Sequence, residues 1–385
     1  KIVEPRLGKY EGEIDTSVAQ ELTAAEKKGM KYVGKVLAVL FCIFAMLASF
    51  GIGSMGQVNK IVANVANAFD VKALSSIEIF GGVSLYNFIL GIIIMVLTAL
   101  ISNGHVLIED VPGVGKTRLI AAIAKSIDCS FRRIQFTADV LPSDVTGFSV
   151  YNQKTGEFEF KPGAIMSQLV LADEINRTSP KTQAALLEAM EEAHVTVDGV
   201  TYEMEKPFMV LATQNPIEFL GTFQLPEAQL DRFMLKVVVS YPKKEEERQI
   251  IRMNNSGTFP KAQPVLKPED IVRAREVVKD VYMDEKIEKY IVDIVYATRT
   301  PQDYNLGNIA GFISYGASPR ASISLAMAAK AYAFIKRRGY VIPEDVRAVC
   351  YEGLRHRIGL TYEAEAENMT TDQIISEIIN AVEVP

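Results

Sequence analysis

A strand, a glycine-rich turn and a helix succeed one another in the second quarter of the chain. The apolar run 105–109 leads into residues 110–117, whose sequence is DVPGVGKT, and a helix-favouring run continues to residue 127. Backbone N–H groups at a helix N-terminus point at anions, and the helix dipole favours negative charge there. In this arrangement the lysine reaches the outer phosphates of a nucleotide and the threonine hydroxyl holds Mg²⁺. The segment predicts that the chain binds a nucleoside triphosphate.

One position in this loop departs from the usual pattern. Asp110 lies six residues before the lysine, where such loops have glycine. Aspartate tolerates left-handed backbone geometry better than most residues, so we expect the loop to keep its shape. ATP and Mg²⁺ are the predicted cofactors. The residues predicted to bind the nucleotide are Pro112, Gly113, Val114, Gly115, Lys116, Thr117 and Arg118.

Cysteine, histidine and charge argue against several other chemistries. The three cysteines lie far apart and form no CxxC pair, and the three histidines are isolated, so we expect neither disulfides nor a zinc site. The net charge is −6 and the basic residues of the second part of the chain are not clustered. A nucleic-acid partner is therefore not expected.

The N-terminal region is predicted to meet a membrane. Residues 1–32 are polar and charged, as in a loosely ordered tail. Residues 36–58 carry no charge, are long enough to span a bilayer and follow four lysines, as the positive-inside rule favours. A signal peptide is the rival interpretation, although 35 residues before the apolar core make an awkward one.

A second uncharged run, residues 79–101, leaves two interpretations open. It is either a second span that completes a helical hairpin, or a buried helix beside the nucleotide-binding sheet. Seven Lys and Arg residues in 1–35 against two in 59–78 favour the hairpin. We therefore predict a membrane region over 33–102. The N-terminus and the ATPase domain would lie in the cytoplasm, at the inner (cytoplasmic) membrane, with membrane lipid as a partner.

From residue 105 onward, apolar runs alternate with helical patterns, which predicts an α/β fold with a parallel sheet. The strand candidates are 106–109, 132–136, 168–173, 208–213 and 235–240. Two hairpins, 148–160 and 195–204, interrupt the alternation, and the second turns at an Asp-Gly pair. After residue 243 the pattern is mostly helical. We predict a nucleotide-binding core over 103–242 and a helical domain over 243–385.

Five further positions carry the predicted chemistry of hydrolysis. Asp173 and Glu174 close a buried strand, where one carboxylate can hold Mg²⁺ and the next can polarise the attacking water. Asn215 follows the next predicted core strand and can position that water. A family resemblance, rather than the residues alone, points to Arg232 and Arg320, whose guanidiniums can stabilise the charge of the γ-phosphate. Thr117 and Asp173 are thus the predicted metal ligands, and the predicted catalytic residues are Glu174, Asn215, Arg232 and Arg320.

Together these segments resemble a MoxR-type AAA+ ATPase of the helix-2-insert branch. The matching segments are 105–117, 172–177, 180–183, 186–192, 212–216, 225–233, 318–320 and 354–360. The resemblance implies an AAA+ P-loop core with a five-stranded parallel sheet, a C-terminal helical lid, sensor roles for Asn215 and Arg320, and an arginine-finger role for Arg232.

The same resemblance implies a chaperone-like ATPase that works as a homo-hexamer with ATP between subunits. Such proteins remodel, assemble or activate client protein complexes, often with a partner that bears a von Willebrand factor A domain. Two other functions stay open. One is a nucleotide-gated membrane scaffold that does not hydrolyse ATP, and the other is a nucleic-acid motor.

Overall fold

The computed structural model describes residues 85–110, 116–215, 221–239, 247–248, 251, 255 and 262–385. At positions 85–90, 110 and 116 it describes the backbone alone. The predicted polar tail (1–32), the first predicted span (36–58) and residues 112–115 of the phosphate loop lie outside the described residues.

The described strands are β1 (Val106–Asp110), β2 (Phe131–Gln135), β3 (Gly147–Asn152), β4 (Glu157–Pro162), β5 (Leu169–Asp173), β6 (His194–Val197), β7 (Val200–Glu203), β8 (Met209–Gln214), β9 (Leu235–Val239), β10 (Ile313–Tyr315) and β11 (Gly359–Leu360). Five of them are parallel and form the central sheet, in the order β2-β5-β8-β1-β9. Every residue of β5 is buried, as expected for a strand covered on both faces. The predicted five-stranded parallel sheet is confirmed.

The described helices surround this sheet and build the C-terminal lid. They are α1 (Leu85–Ile101), α2 (Lys116–Ser126), α3 (Pro142–Thr146), α4 (Pro180–Glu192), α5 (Glu227–Leu230), α6 (Pro268–Lys279), α7 (Glu285–Ala297), α8 (Pro319–Ile335), α9 (Pro343–Leu354), α10 (Tyr362–Ala366) and α11 (Thr371–Ala381). Helix α8 packs its alanines closely against its neighbours, since Ala321, Ala328 and Ala331 are fully buried. The predicted helical lid is confirmed.

Helix α1 is a core helix and not a membrane span. It has 17 residues, and Ile94, Ala99 and Leu100 are at most 1% exposed. Arg275 of α6 donates to the Leu100 carbonyl (2.9 Å), and Ser102 donates to the Met327 carbonyl of α8 (3.3 Å). No helix within the described ranges is long and apolar enough to cross a bilayer. The predicted hairpin, and the membrane location that depended on it, are therefore wrong.

Two antiparallel hairpins project from the core close to the positions expected. The pairs β3–β4 and β6–β7 contact each other through Phe160 and Tyr202, whose ring centroids stack 3.8 Å apart. The first hairpin begins at Gly147, which has φ +104°. A Cβ at Gly147 would approach the Lys161 carbonyl oxygen to 2.6 Å, so the junction requires glycine.

Candidate nucleotide site

The C-terminal edge of the sheet carries a buried carboxylate. Asp173 ends β5 and is 3% exposed. Its Oδ1 accepts a hydrogen bond from Thr213 Oγ1 (2.6 Å), and its Oδ2 accepts from Arg133 Nη2 (2.5 Å) and Nε (3.1 Å). A buried carboxylate is tolerable when it is paired and hydrogen-bonded, as this one is. Asp173 is thus fixed in place at the end of its strand.

Glu174 lies one residue beyond the strand in an unusual backbone conformation. Its φ of 58° and ψ of 51° are left-handed, which is uncommon outside glycine. Its N–H donates to Thr213 Oγ1 (2.9 Å), while its Oε2 accepts from Gln135 Nε2 (2.8 Å) and lies 3.3 Å from Arg177 Nε. The same threonine hydroxyl therefore orients both carboxylate residues. Strain of this kind concentrates at functional sites.

Asn215 follows β8, the strand that separates β5 from β1 in the sheet. It is 7% exposed, and its carbonyl accepts from Asn176 Nδ2 (3.3 Å). Because β1 and β8 are parallel and adjacent, Asn215 lies between the acidic pair and the end of the strand that leads to the phosphate loop. The structure thus brings Asp173, Glu174 and Asn215 to one edge.

Two of the predicted loop residues, Thr117 and Arg118, lie in the helix that follows β1 along the chain. Helix α2 begins at Lys116, so Thr117 is in its first turn and Arg118 is exposed on the same turn. The Thr117 side chain carries a hydroxyl and Asp173 a carboxylate. Both are oxygen donors, the kind of ligand that Mg²⁺ prefers. In the described part of the chain no cluster of three or more His, Cys, Asp or Glu side chains is poised for a metal.

The two predicted arginines lie together at the opposite edge. Arg232 precedes β9, Arg320 is in the first turn of α8, and both contact the Glu191 carboxylate at 3.1 Å and 2.8 Å. They line a cavity of about 220 Å³ with His105, which precedes β1. Sequence analysis assigned no role to Glu191, although it lies in the segment 186–192.

This arginine edge is far from the acidic edge of the same chain. The sheet register places Asp173 at about the level of Val237, which lies three strands away in β9. Arg232 lies a further five residues before Val237 along the chain. At about 3.3 Å per residue and 4.8 Å per strand, the separation is roughly 20 Å. An arginine side chain spans far less, so the two groups cannot act together within one chain.

Two histidines lie near the arginine edge, His105 partly buried and His356 buried. Val210 N donates to His105 Nδ1 (3.0 Å), so the ring is neutral with its Nε2–H donating to the Met190 carbonyl (2.9 Å). Burial lowers the pKa of His105 to about 4, and Arg275 contributes to the lowering. His356 contacts the Phe233 carbonyl (2.9 Å), and burial holds its pKa well below the ordinary value.

Comparison with known proteins agrees with this geometry. Residues 105–235 match the ATPase family associated with various cellular activities (AAA), and residues 308–378 match the AAA lid domain. The chain is 51% identical over 295 residues to the uncharacterized protein YeaC of Bacillus subtilis, covering 76% of this chain and 89% of YeaC.

Two further relatives extend the comparison. The chain is 43% identical over 290 residues to chaperone MoxR1 of Mycobacterium tuberculosis, covering 75% of this chain and 76% of MoxR1. A crystal structure of a candidate ATPase from Cytophaga hutchinsonii is 46% identical, with a TM-score of 0.72. That match covers 76% of this chain and 89% of the other.

Proposed function

Because the chain belongs to the MoxR-type family of AAA+ ATPases, whose members include chaperones, we propose that it hydrolyses ATP at sites shared between copies of the chain. The hydrolysis would drive the remodelling, assembly or activation of client protein complexes. The single observation that carries this proposal is the division of the site. The acidic residues and the arginines occupy opposite edges of one sheet.

At the acidic edge each side chain has a distinct role. Thr117 and Asp173 would hold Mg²⁺, which when bound would neutralise developing charge on the phosphates. Glu174 accepts the proton of the attacking water, and Asn215 orients that water. Gln135 and Arg177 hold the Glu174 carboxylate where the structure has it. Lys116, at the start of α2, reaches the outer phosphates.

At the arginine edge the guanidiniums face a neighbouring subunit. Arg232 and Arg320 are 30% and 51% exposed in their side chains, so both are accessible to the phosphates of another copy. A contact that joins the acidic edge of one copy to the arginine edge of the next is head-to-tail, and such contacts form a ring when the rotation between neighbours closes. A homo-hexamer fits this arrangement.

The partners follow from the same proposal. A ring of this kind would act on client protein complexes, with a protein that bears a von Willebrand factor A domain as one candidate partner. A nucleic-acid motor would need a basic surface, and the hairpin β3–β4 instead carries Glu157 and Glu159 beside Lys161. The non-hydrolysing scaffold is tested directly by measured turnover.

Mixed rings test the shared site. Arg232→Ala alone should keep ATP binding and lose turnover by roughly 10³-fold or more, the usual effect of removing an arginine finger. Glu174→Gln should also bind ATP without turnover. Mixing the two should restore part of the activity, because some sites then combine Glu174 of one subunit with Arg232 of the next.

The control is a mixture of Arg232→Ala subunits with subunits that carry both Lys116→Ala and Arg232→Ala. No subunit in this mixture has Arg232, so it should stay inactive. Absence of rescue in the first mixture would mean that Arg232 acts within its own chain. Absence of turnover in assembled wild-type rings would favour the scaffold.

A further inference from the structure

Asp231, the residue before the predicted arginine finger, has both carboxylate oxygens held by the lid. Its Oδ1 accepts from Arg357 Nε (2.6 Å), and its Oδ2 accepts from Ser318 Oγ (2.7 Å). These partners are 126 and 87 residues away in sequence. Asp231 is therefore a direct link between the core segment that carries Arg232 and two separate parts of the lid.

Ser318 extends this link to the second arginine. Ser318 is the N-cap of α8, and its Oγ accepts a hydrogen bond from the Arg320 backbone N–H (3.1 Å). The chain of hydrogen bonds runs from Asp231 through Ser318 to the backbone of Arg320. Arg232 adjoins Asp231 in sequence, so one carboxylate fixes the backbone at both arginines.

Arg357 anchors the same segment from beneath. Its side chain is 1% exposed. Besides Asp231, it donates to the carbonyls of Phe233 (2.8 Å), Met234 (3.1 Å) and Gly353, the last of these in the lid itself. The segment before β9 is thus held by backbone and side-chain contacts to one buried guanidinium. Rotation of the lid on the core would have to break these bonds.

We propose that Asp231 is a positioning residue that sets the separation of Arg232 and Arg320 by tying the lid to the core. The proposal rests on the shared-site function above. Asp231 touches no phosphate in this arrangement and acts through the two arginines beside it. The lid then moves with the arginine edge of its own subunit and presents both guanidiniums together to the neighbour.

The test is the substitution Asp231→Asn in the full chain. Asparagine keeps the shape of aspartate, but its N–H₂ group cannot accept a hydrogen bond from Arg357 or Ser318. One of the two bonds between residue 231 and the lid is therefore lost. We expect kcat to fall by about tenfold to a hundredfold, as misplacement by about 1 Å can cause. The KM for ATP should change less than about twofold. Asp198→Asn, at an exposed hairpin turn, removes the same charge and should leave kcat unchanged.

A mixed-ring measurement separates positioning in trans from a general structural defect. Asp231→Asn subunits keep their own acidic edge, so Glu174→Gln subunits with intact arginines should restore part of their turnover. If Arg232→Ala is rescued in this way and Asp231→Asn is not, Asp231 acts on its own site and the proposal is overturned. If neither is rescued, the shared-site function itself fails, and the proposal fails with it.

Ser318→Ala provides a second route where Asp231→Asn does not assemble. It removes the link to Arg320 and leaves the bond from Arg357 to Asp231 in place. Turnover reduced by about tenfold to a hundredfold, the equivalent of one hydrogen bond to a charged group, and restored by Glu174→Gln subunits would support the proposal. Unchanged turnover in Ser318→Ala, or wild-type turnover in Asp231→Asn, would overturn it.

Discussion

The acidic edge and the arginine edge of the central sheet are held in place by different parts of the chain. At the acidic edge, Asp173 and Glu174 are held by residues of the core, with Thr213 bonded to both. At the arginine edge, the segment around Arg232 is fixed by the lid through His356 and Arg357. We therefore expect a change in the position of the lid to act on the arginine half of the proposed shared site. The acidic half stays as the strand ends define it.

Among the substitutions Glu174→Gln, His105→Gln and Glu191→Gln, the largest effect is expected from Glu174→Gln, at the acidic edge. Glu174→Gln removes the proposed general base while keeping the hydrogen-bonding shape, so turnover should fall by about 10² to 10⁴-fold. ATP binding should persist, because the phosphate loop and Asp173 are unchanged. Phosphate release and equilibrium ATP binding, measured on the same rings, separate the two effects.

The matched control is Glu203→Gln, which removes one charge at an exposed position of β7. It should leave both phosphate release and ATP binding unchanged. Normal turnover in Glu174→Gln would remove the basis for the acidic edge as the catalytic half.

The acidic edge was the part of the site that local sequence could predict. Parallel strands end at one edge, so polar residues directly after buried strands converge there. Asp173, Glu174 and Asn215 each follow such a strand. The sequence shows a residue with a hydroxyl, Thr213, two positions before Asn215. Its bond with the Glu174 N–H depends on the left-handed turn at Glu174, which the sequence does not indicate.

The arginine edge depends on partners that are distant in sequence. Arg232 and Arg320 were identified only through the family resemblance, and nothing local indicated that Glu191 would contact both. Asp231 and Arg357 are 126 residues apart, so no periodicity relates them. Pairings of this kind follow from the packing of the lid on the core, which a single sequence does not specify.

Helix α1 shows why the membrane prediction failed. A helix that is apolar all round is expected either in a bilayer or in the interior of a protein. Contacts with α6 and α8 bury Leu100 and Ser102 and supply the second environment. Charge counting in the flanking segments could not distinguish the two, because it does not register packing partners.

Acid should weaken the arginine edge through His105. The pKa of this ring is about 4 in the fold and 6.5 in the unfolded chain, so the unfolded state binds the proton first as the pH falls. The stability is fully present above pH 6.5 and is lost progressively toward pH 4. Between pH 7 and pH 5 the loss attributable to His105 should be about 2 kcal/mol.

Urea unfolding at both pH values measures this loss. His105→Gln keeps a donor for the Met190 carbonyl and cannot titrate, so its unfolding free energy should fall less between pH 7 and pH 5 than that of the wild type. Equal losses in the two proteins would show that the ring is not a source of the pH dependence.

The smallest effect should come from Glu191, although it contacts both arginines. All three side chains are between 30% and 51% exposed, and exposed ion pairs contribute at most about 1 kcal/mol. In the ring, the neighbour's phosphate would replace this carboxylate as the partner of the guanidiniums. Glu191→Gln should therefore change the unfolding free energy by less than about 1 kcal/mol and turnover by less than about threefold. A loss of turnover as large as that of Arg232→Ala would mean that Glu191 belongs to the catalytic half-site, because a mere holding partner is displaced once the arginines reach phosphate.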